Sequence, residues 1–264
     1  MNDLEFKKMI SRKQDHIRNG IILLVMSVIF VISLLQMNID LARIIRGMES
    51  VAGFVKAMFP PDFSIISRVW PLALQSIQIA IMGTVLGIIF SIVLSMLAAK
   101  NLTPIPGVGI FLKSFFALTR AIPALVWALL FIVAVGLGSL PGILALAVNS
   151  IGMLGKVFSE SFENVDKGIL DGIRSTGASG LQVFTQGALP ETMPALISWS
   201  LFRLDINIRY SSILGVVGAG GIGWELVRAS RMLDYPAVLM ITIIIFAMIY
   251  AVEQVTSYAR NVIR

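Results

Sequence analysis

Arg203, Asp205, Asn207, Arg209 and Tyr210 stand together in an otherwise apolar stretch near residues 191–217 that is long enough to cross a bilayer. An ionised side chain at the centre of a membrane costs about 2.5–3.5 kcal/mol on insertion scales, so such groups face protein or water. At about 100° per residue, Asp205, Arg209 and Ser212 share one helix face, and Arg203, Asn207 and Tyr210 share nearly the opposite one. Asp205 precedes Arg209 by four residues, the favourable order for an ion pair. One reading is that this pair neutralises itself while Arg203 snorkels to the interface. The other is that at least one arginine faces a hydrophilic route for an anion. All five are candidate path residues.

Other motifs carry less. Gly218-x-Gly220-x-x-Gly223 has the spacing of a dinucleotide fingerprint, but no strand precedes it and no acid follows where a ribose would need one. Gly218, Gly220, Gly221 and Gly223 fit either a flexible outer turn or close backbone packing at a gate. Ser150–Lys156 lacks the first glycine and the final Ser or Thr of a phosphate-binding loop, so no ATPase site is expected on this chain. With no cysteine and one histidine, no catalytic residue, metal site or cofactor is expected.

The elements that hold these residues belong in lipid. At 57% hydrophobic and 14% charged residues, with a mean hydropathy of +0.88, the chain has too little polar surface to cover a water-soluble globule of its length. Its net charge of +6 is read as anchoring to anionic lipid rather than binding of nucleic acid. A basic segment ending at Arg18 precedes the uncharged run Gly20–Met37, a retained first span. Residues 39–59 have the periodicity of an amphipathic helix lying on the outer membrane surface or against the other spans, ended by Pro60-Pro61-Asp62. No charge occurs from Val69 to Ala99, giving a second span. The charge-free run Ala121–Gly155 is broken at Gly136, Gly138 and Pro141-Gly142, and reads as two spans near 112–137 and 142–158. The fifth lies near 191–217 and the sixth near 236–257.

Between the fourth and fifth spans lies a polar loop, 159–190. Val165, Ile169 and Ile173 suggest one apolar stripe, Thr176-Gly177 a helix stop with positive φ, and Ser179 with Gln182 a capping box. Leu189-Pro190 is read as ending this unit and starting the next span.

Asp171-Gly172-Ile173, Gly177 and Gly187-x-Leu189-Pro190 resemble the cytoplasmic loop of the membrane subunits of binding-protein-dependent ABC importers. Together with Phe59-Pro60-Pro61-Asp62, Arg120-Ala121-Ile122-Pro123, Phe202–Arg209 and Asp234-Tyr235, the chain is similar to phosphonate importer permeases over about residues 50–264. The resemblance implies an all-α integral membrane protein of type I importer fold. It would have six transmembrane helices, an outer amphipathic helix and a cytoplasmic coupling-helix loop. Residues 1–68 would form the anchor and amphipathic helix, and 69–264 the permease domain. It also implies that Asp171, Gly172, Gly177, Ser179, Leu189 and Pro190 couple to a separate ATPase that binds ATP and Mg. The other implied partners are a second copy of the chain, an external solute-binding protein and membrane lipid. The substrate would be phosphonate, phosphite, phosphate or a related oxyanion. The alternatives are a permease for another small solute, or a secondary transporter driven by an ion gradient, for which Asp205 is the one plausible acid and no repeat is visible.

The positive-inside rule orients the spans. With both termini inside, thirteen lysines and arginines lie on the inner side, Lys100, Lys113 and Arg120 among them, against six outside. Reporters fused after Arg264 and within 163–190 should therefore read out as cytoplasmic, and one near Met48 as external. An external signal from the 163–190 loop would overturn this orientation.

Overall fold

The computed structural model describes residues 3–37, 41–103 and 105–263, and every regular element among them is helical. In chain order these are α1 (Asp3–Gln36), α2 (Leu41–Met58), α3 (Ile66–Ala98), α4 (Pro106–Ala121), α5 (Ala124–Val135) and α6 (Ser139–Glu163), then α7 (Lys167–Ser175), α8 (Gly180–Val183), α9 (Leu189–Leu214), α10 (Ile222–Arg231) and α11 (Tyr235–Ile263). Four helices are long and apolar enough to cross a membrane, and six spans result if each of two bent pairs counts as one. One pair is α4 with α5, bent by 92°. The other is the α8–α9 helix with α10, bent by 46°.

The chain forms two compact units, residues 1–56 and 57–264, which divide within α2 rather than at the sequence-read boundary after residue 68. Packing explains where the bundle begins. Asp62 N–H donates to the Pro236 carbonyl at 3.3 Å, and buried Ile65 joins Val69, Ala237 and Ile241 in one apolar cluster. Asp62 also caps the short turn Phe63–Ile65, and its hydrogen bonds to Ser64 hold its carboxyl below the usual range. In the first unit, α1 carries an apolar surface exposed all round from Ile21 to Met37, as a helix in hydrocarbon requires.

Within the second unit α3 lies along α6, and glycine sets the spacing. A Cβ on Gly83 would stand 2.6 Å from Leu146 Cβ and 3.1 Å from the Ile143 carbonyl, closer than a side chain can sit. Helices in lipid gain little from hydrophobicity against each other, so this close approach and its dispersion contacts hold the pair.

The polar loop differs from its sequence reading in two ways. The residue that α7 buries is Leu170, packed with Phe162, Val183 and Phe184, whereas Ile169 is exposed. Helix α7 begins only at Lys167, capped by Asp166, so Val165 lies outside its periodicity and the inward stripe is Leu170 and Ile173. Nor does Leu189-Pro190 end the unit. The chain stays helical from Gly180 through a π turn at Phe184–Ala188 into α9, with Leu189 N–H bonded to the Phe184 carbonyl. A proline has no N–H to give and its ring clashes with the carbonyl four residues back, and the widened turn accommodates both. The capping box is present: Ser179 N–H donates to Gln182 Oε1 at 2.7 Å, and Gln182 N–H to Ser179 Oγ at 3.4 Å.

Gly83→Val should cost about 1–3 kcal/mol through overpacking and lower the thermal unfolding midpoint in detergent. Gly53→Ala, where a Cβ meets nothing within 4 Å, should leave it unchanged. Equal midpoints for the two variants would refute the close-packing account.

Candidate functional site in the middle of the bundle

The site is built on a broken helix. Pro123 cannot continue α4, so the chain turns through Ile122 and Pro123 and restarts as α5. That break frees backbone carbonyls in the interior of the bundle, where each needs a donor. Trp127 Nε1–H reaches the Thr119 carbonyl at 3.3 Å, and Asn149 Nδ2–H the Ile122 carbonyl at 3.3 Å. Gly152 lets the end of α4 lie against α6, for a Cβ there would stand 2.9 Å from Arg120 N and 3.2 Å from the Phe116 carbonyl.

Asn149 has a second role. Its Oδ1 accepts from Arg203 Nη2 at 2.7 Å, while Arg203 Nε donates to Ser150 Oγ at 2.8 Å and Nη1 lies 3.5 Å from Met153 Sδ. Arg203 is only 3% exposed, and all three partners are neutral. Ser150 Oγ–H itself donates to the Leu146 carbonyl at 2.5 Å. Asn207 Nδ2 donates to Ser150 Oγ at 2.9 Å and to Thr84 Oγ1 at 2.8 Å, so a polar chain runs from Arg203 through Ser150 and Asn207 to Thr84 and ties α9 to both α6 and α3. Asn207 Oδ1 has no partner among the described residues.

Beside this chain lies a cavity of about 350 Å³ lined by Arg120, Asn149, Met153, Arg203, Ile206 and Tyr210 with Ala121, Pro123 and Ala124. Three elements agree on its depth. At 1.5 Å per residue, Asn149 and Met153 fall near the middle of α6, Arg203 near the middle of α9, and Arg120 at the joint of α4 and α5.

The other face of α9 belongs to α11. Arg209 Nη2 lies 3.1 Å from Glu253 Oε2 and 3.8 Å from Asp205 Oδ2, and Thr256 Oγ1 donates to Asp205 Oδ1 at 3.5 Å. The five sequence candidates thus divide. Arg203 and Tyr210 share the cavity and Asn207 braces it from behind, whereas Asp205 and Arg209 form an ionic group across the helix. Sequence reasoning passed over Arg120, counted at the inner surface, and Asn149 and Glu253. Pro123 was the available signal, because a break three residues after Arg120 places that residue at the joint of α4 and α5 rather than at the inner surface.

Gly218, Gly220 and Gly221 have φ of +88°, +81° and +83°, which side chains rarely adopt. Gly221 N–H donates to Gln75 Oε1 at 3.0 Å, Ile222 N–H to Ser76 Oγ at 2.9 Å, and Gly138 N–H to the Gly218 carbonyl at 3.0 Å. A Cβ on Gly223 would strike the Ser212 carbonyl. This segment is closely packed backbone, sealed beside Glu225, which accepts from Arg228 at 2.8 and 2.5 Å and pairs with Arg68 at 2.8 Å. In the polar loop, Asp171 and Gly172 are exposed, Asp171 pairs with Arg174 at 3.0 Å, and Arg174 donates to the Asn101 carbonyl at 2.6 Å. Gly177 has φ +82° with open space around its Cα.

Comparison with known proteins points to one group. Residues 91–259 match the family described as binding-protein-dependent transport system inner membrane component. The chain is 39% identical over 83% of its length to the phosphate-import permease protein PhnE of Mycolicibacterium smegmatis, of which it spans only 41%. It is 35% identical over 84% of its length to the phosphite transport system permease protein PtxC of Stutzerimonas stutzeri, covering 81% of that protein. Among solved structures, an inward-facing form of the MetNI methionine ABC transporter aligns with a TM-score of 0.66 at 15% identity, over 77% of this chain and 99% of the other, a likeness of fold.

Removing Arg209 strands Asp205, which is 8% exposed, more than Glu253, whose side chain is half in the open. Arg209→Gln should therefore reduce folded yield, and adding Asp205→Asn should recover most of it, since an uncompensated buried charge costs more than a missing pair. A double variant no better than the single one would show that Asp205 does not depend on Arg209.

Proposed function

Because the chain belongs to the family of binding-protein-dependent transport system inner membrane components, we propose that it is the multi-pass permease of an ATP-driven importer that carries phosphonate or a related phosphorus oxyanion. The observation that carries the substrate class is Arg203, a buried cation at mid-bundle whose hydrogen-bond partners are all neutral. The names of the phosphate and phosphite permeases it is similar to support the same class. A path for such an anion runs past Arg203 and Tyr210, with Asn207 as brace; Asp205 and Arg209 hold α9 to α11.

One chain supplies one polar loop and one cavity, so the working unit is a homodimer with the path on its two-fold axis. A separate cytoplasmic ATPase, which binds ATP and Mg, grips the loop 159–190 through exposed Ile169, Asp171, Gly172 and Leu181. The turn at Gly177, the cap at Ser179 and the helical entry at Leu189-Pro190 keep that loop in shape. An external solute-binding protein delivers the anion to the glycine-rich segment 218–223, which acts as the outer gate, and both termini are cytoplasmic. The alternative of a transporter driven by an ion gradient is disfavoured because Asp205, which it would need for coupling, is already tied to Arg209 and Thr256.

Reconstituted with its ATPase and binding protein, the chain should support ATP-dependent uptake of methylphosphonate, phosphite or phosphate. Uptake of none of them would sink the assignment. Gly177→Val forces a β-branched residue into positive φ where no clash intervenes, at about 1–2 kcal/mol. Uptake and uptake-stimulated ATP hydrolysis should fall together by at least tenfold while the spans stay inserted. Normal coupling in this variant would show that the turn does not shape the contact.

A further inference from the structure

Positive charge inside a membrane is tolerated where an opposite charge or water meets it. The arginines of the second unit divide on that criterion. Arg209 meets Asp205 and Glu253, Arg68 and Arg228 share Glu225, and Arg174 meets Asp171. Arg203, Arg120, Arg231 and Arg260 have no carboxylate partner among the described residues, and of these the buried Arg203 and the exposed Arg120 line one cavity. Two uncompensated like charges facing one small space make it a site for an anion.

The shape of the donors narrows the ligand. A guanidinium has five N–H donors, and three of those on Arg203 have partners, the one towards Met153 Sδ being weak. Two remain on the planar fork, which matches two oxygens of a tetrahedral oxyanion. The Tyr210 ring borders the same space and can bring a hydroxyl donor to a third oxygen. Ala121, Pro123, Ala124 and Ile206 form an apolar wall, which has no use for a fourth oxygen but accepts a methyl or ethyl group.

We infer that this cavity is a discrete resting site inside the membrane for a small oxyanion bearing an apolar substituent, an alkylphosphonate before inorganic phosphate. Arg203 and Arg120 are its binding residues. Asn149 borders the same cavity and holds Arg203 in place, tying it to the Ile122 carbonyl at the helix break. The inference rests on the transport reading above but goes further, because a permease could pass its anion through without holding it.

The test uses the full chain assembled with its ATPase in nanodiscs, without the external binding protein, and measures binding of methylphosphonate, inorganic phosphate and uncharged dimethyl methylphosphonate by phosphorus NMR. The wild type should bind methylphosphonate more tightly than phosphate and ignore the neutral ester. Arg203→Gln should weaken methylphosphonate at least tenfold, with Arg203→Lys between the two. Arg203→Gln also loses structural hydrogen bonds. The Arg120 side chain has no hydrogen bond among the described residues, so weakened binding in Arg120→Gln at an unchanged melting temperature is the cleaner expected result. Unchanged methylphosphonate affinity in Arg120→Gln and Arg203→Gln, with wild-type uptake of the same anion intact in the complete system, would overturn the resting site and leave the transport function standing. Absent wild-type uptake of every phosphorus oxyanion would instead overturn the function itself.

Discussion

The middle of the bundle depends on one side chain with two obligations. Asn149 donates a hydrogen bond to the Ile122 carbonyl, which the helix break at Pro123 has orphaned, and accepts one from Arg203, which has no acid partner among the described residues. Neither group could be left unmet where water is scarce, since an unsatisfied buried polar group costs about 1–3 kcal/mol. Meeting both with one amide fixes the break of α4 and α5 against the side of α9, and so fixes the cavity between them. Ser150, one residue on, repeats the device by receiving from Arg203 and Asn207 while donating to its own helix.

Helix α9 shows how a single span can carry opposed requirements. Its α6 side holds a cation among neutral donors and acceptors, and its α11 side holds a cation among acids. The two arginines are six residues apart on one helix, yet their surroundings differ: Arg209 is met by acids of the protein, and Arg203 by neutral groups alone. A charge count for the span, which sees two arginines, one aspartate and one glutamate, cannot distinguish them.

Much of this was legible in the sequence. The spans followed from runs without charge, the capping box from Ser179 and Gln182, and the opposed faces of α9 from helical periodicity. The positive φ at Gly177 followed from glycine at a helix stop. What stayed hidden is contact between residues far apart in the chain. Nothing local to Asn149 says that it will reach Ile122 and Arg203, and nothing local to Glu253 says that it will sit beside Arg209. Arg120 was misplaced because a charge at the head of an apolar run looks like an interfacial anchor; only the consequence of Pro123 puts it deep. Ile169 was assigned to the buried stripe because the start of α7 was set too early, which turns every later residue about the axis.

The π turn at Phe184–Ala188 joins the polar loop to the spanning helix without a gap. From Gly180 to Arg203 the chain is therefore one continuous rod, about 35 Å long at 1.5 Å per residue. A loop linked by slack chain could be pulled without effect on the interior, but a rod delivers displacement along its length. Torque applied to α8 reaches the guanidinium through two compliant points, the π turn with its wider hydrogen-bond ring and Pro194, which leaves the Pro190 carbonyl without its helical donor. The rod therefore gives most readily near its loop end and is stiff from Pro194 to Arg203.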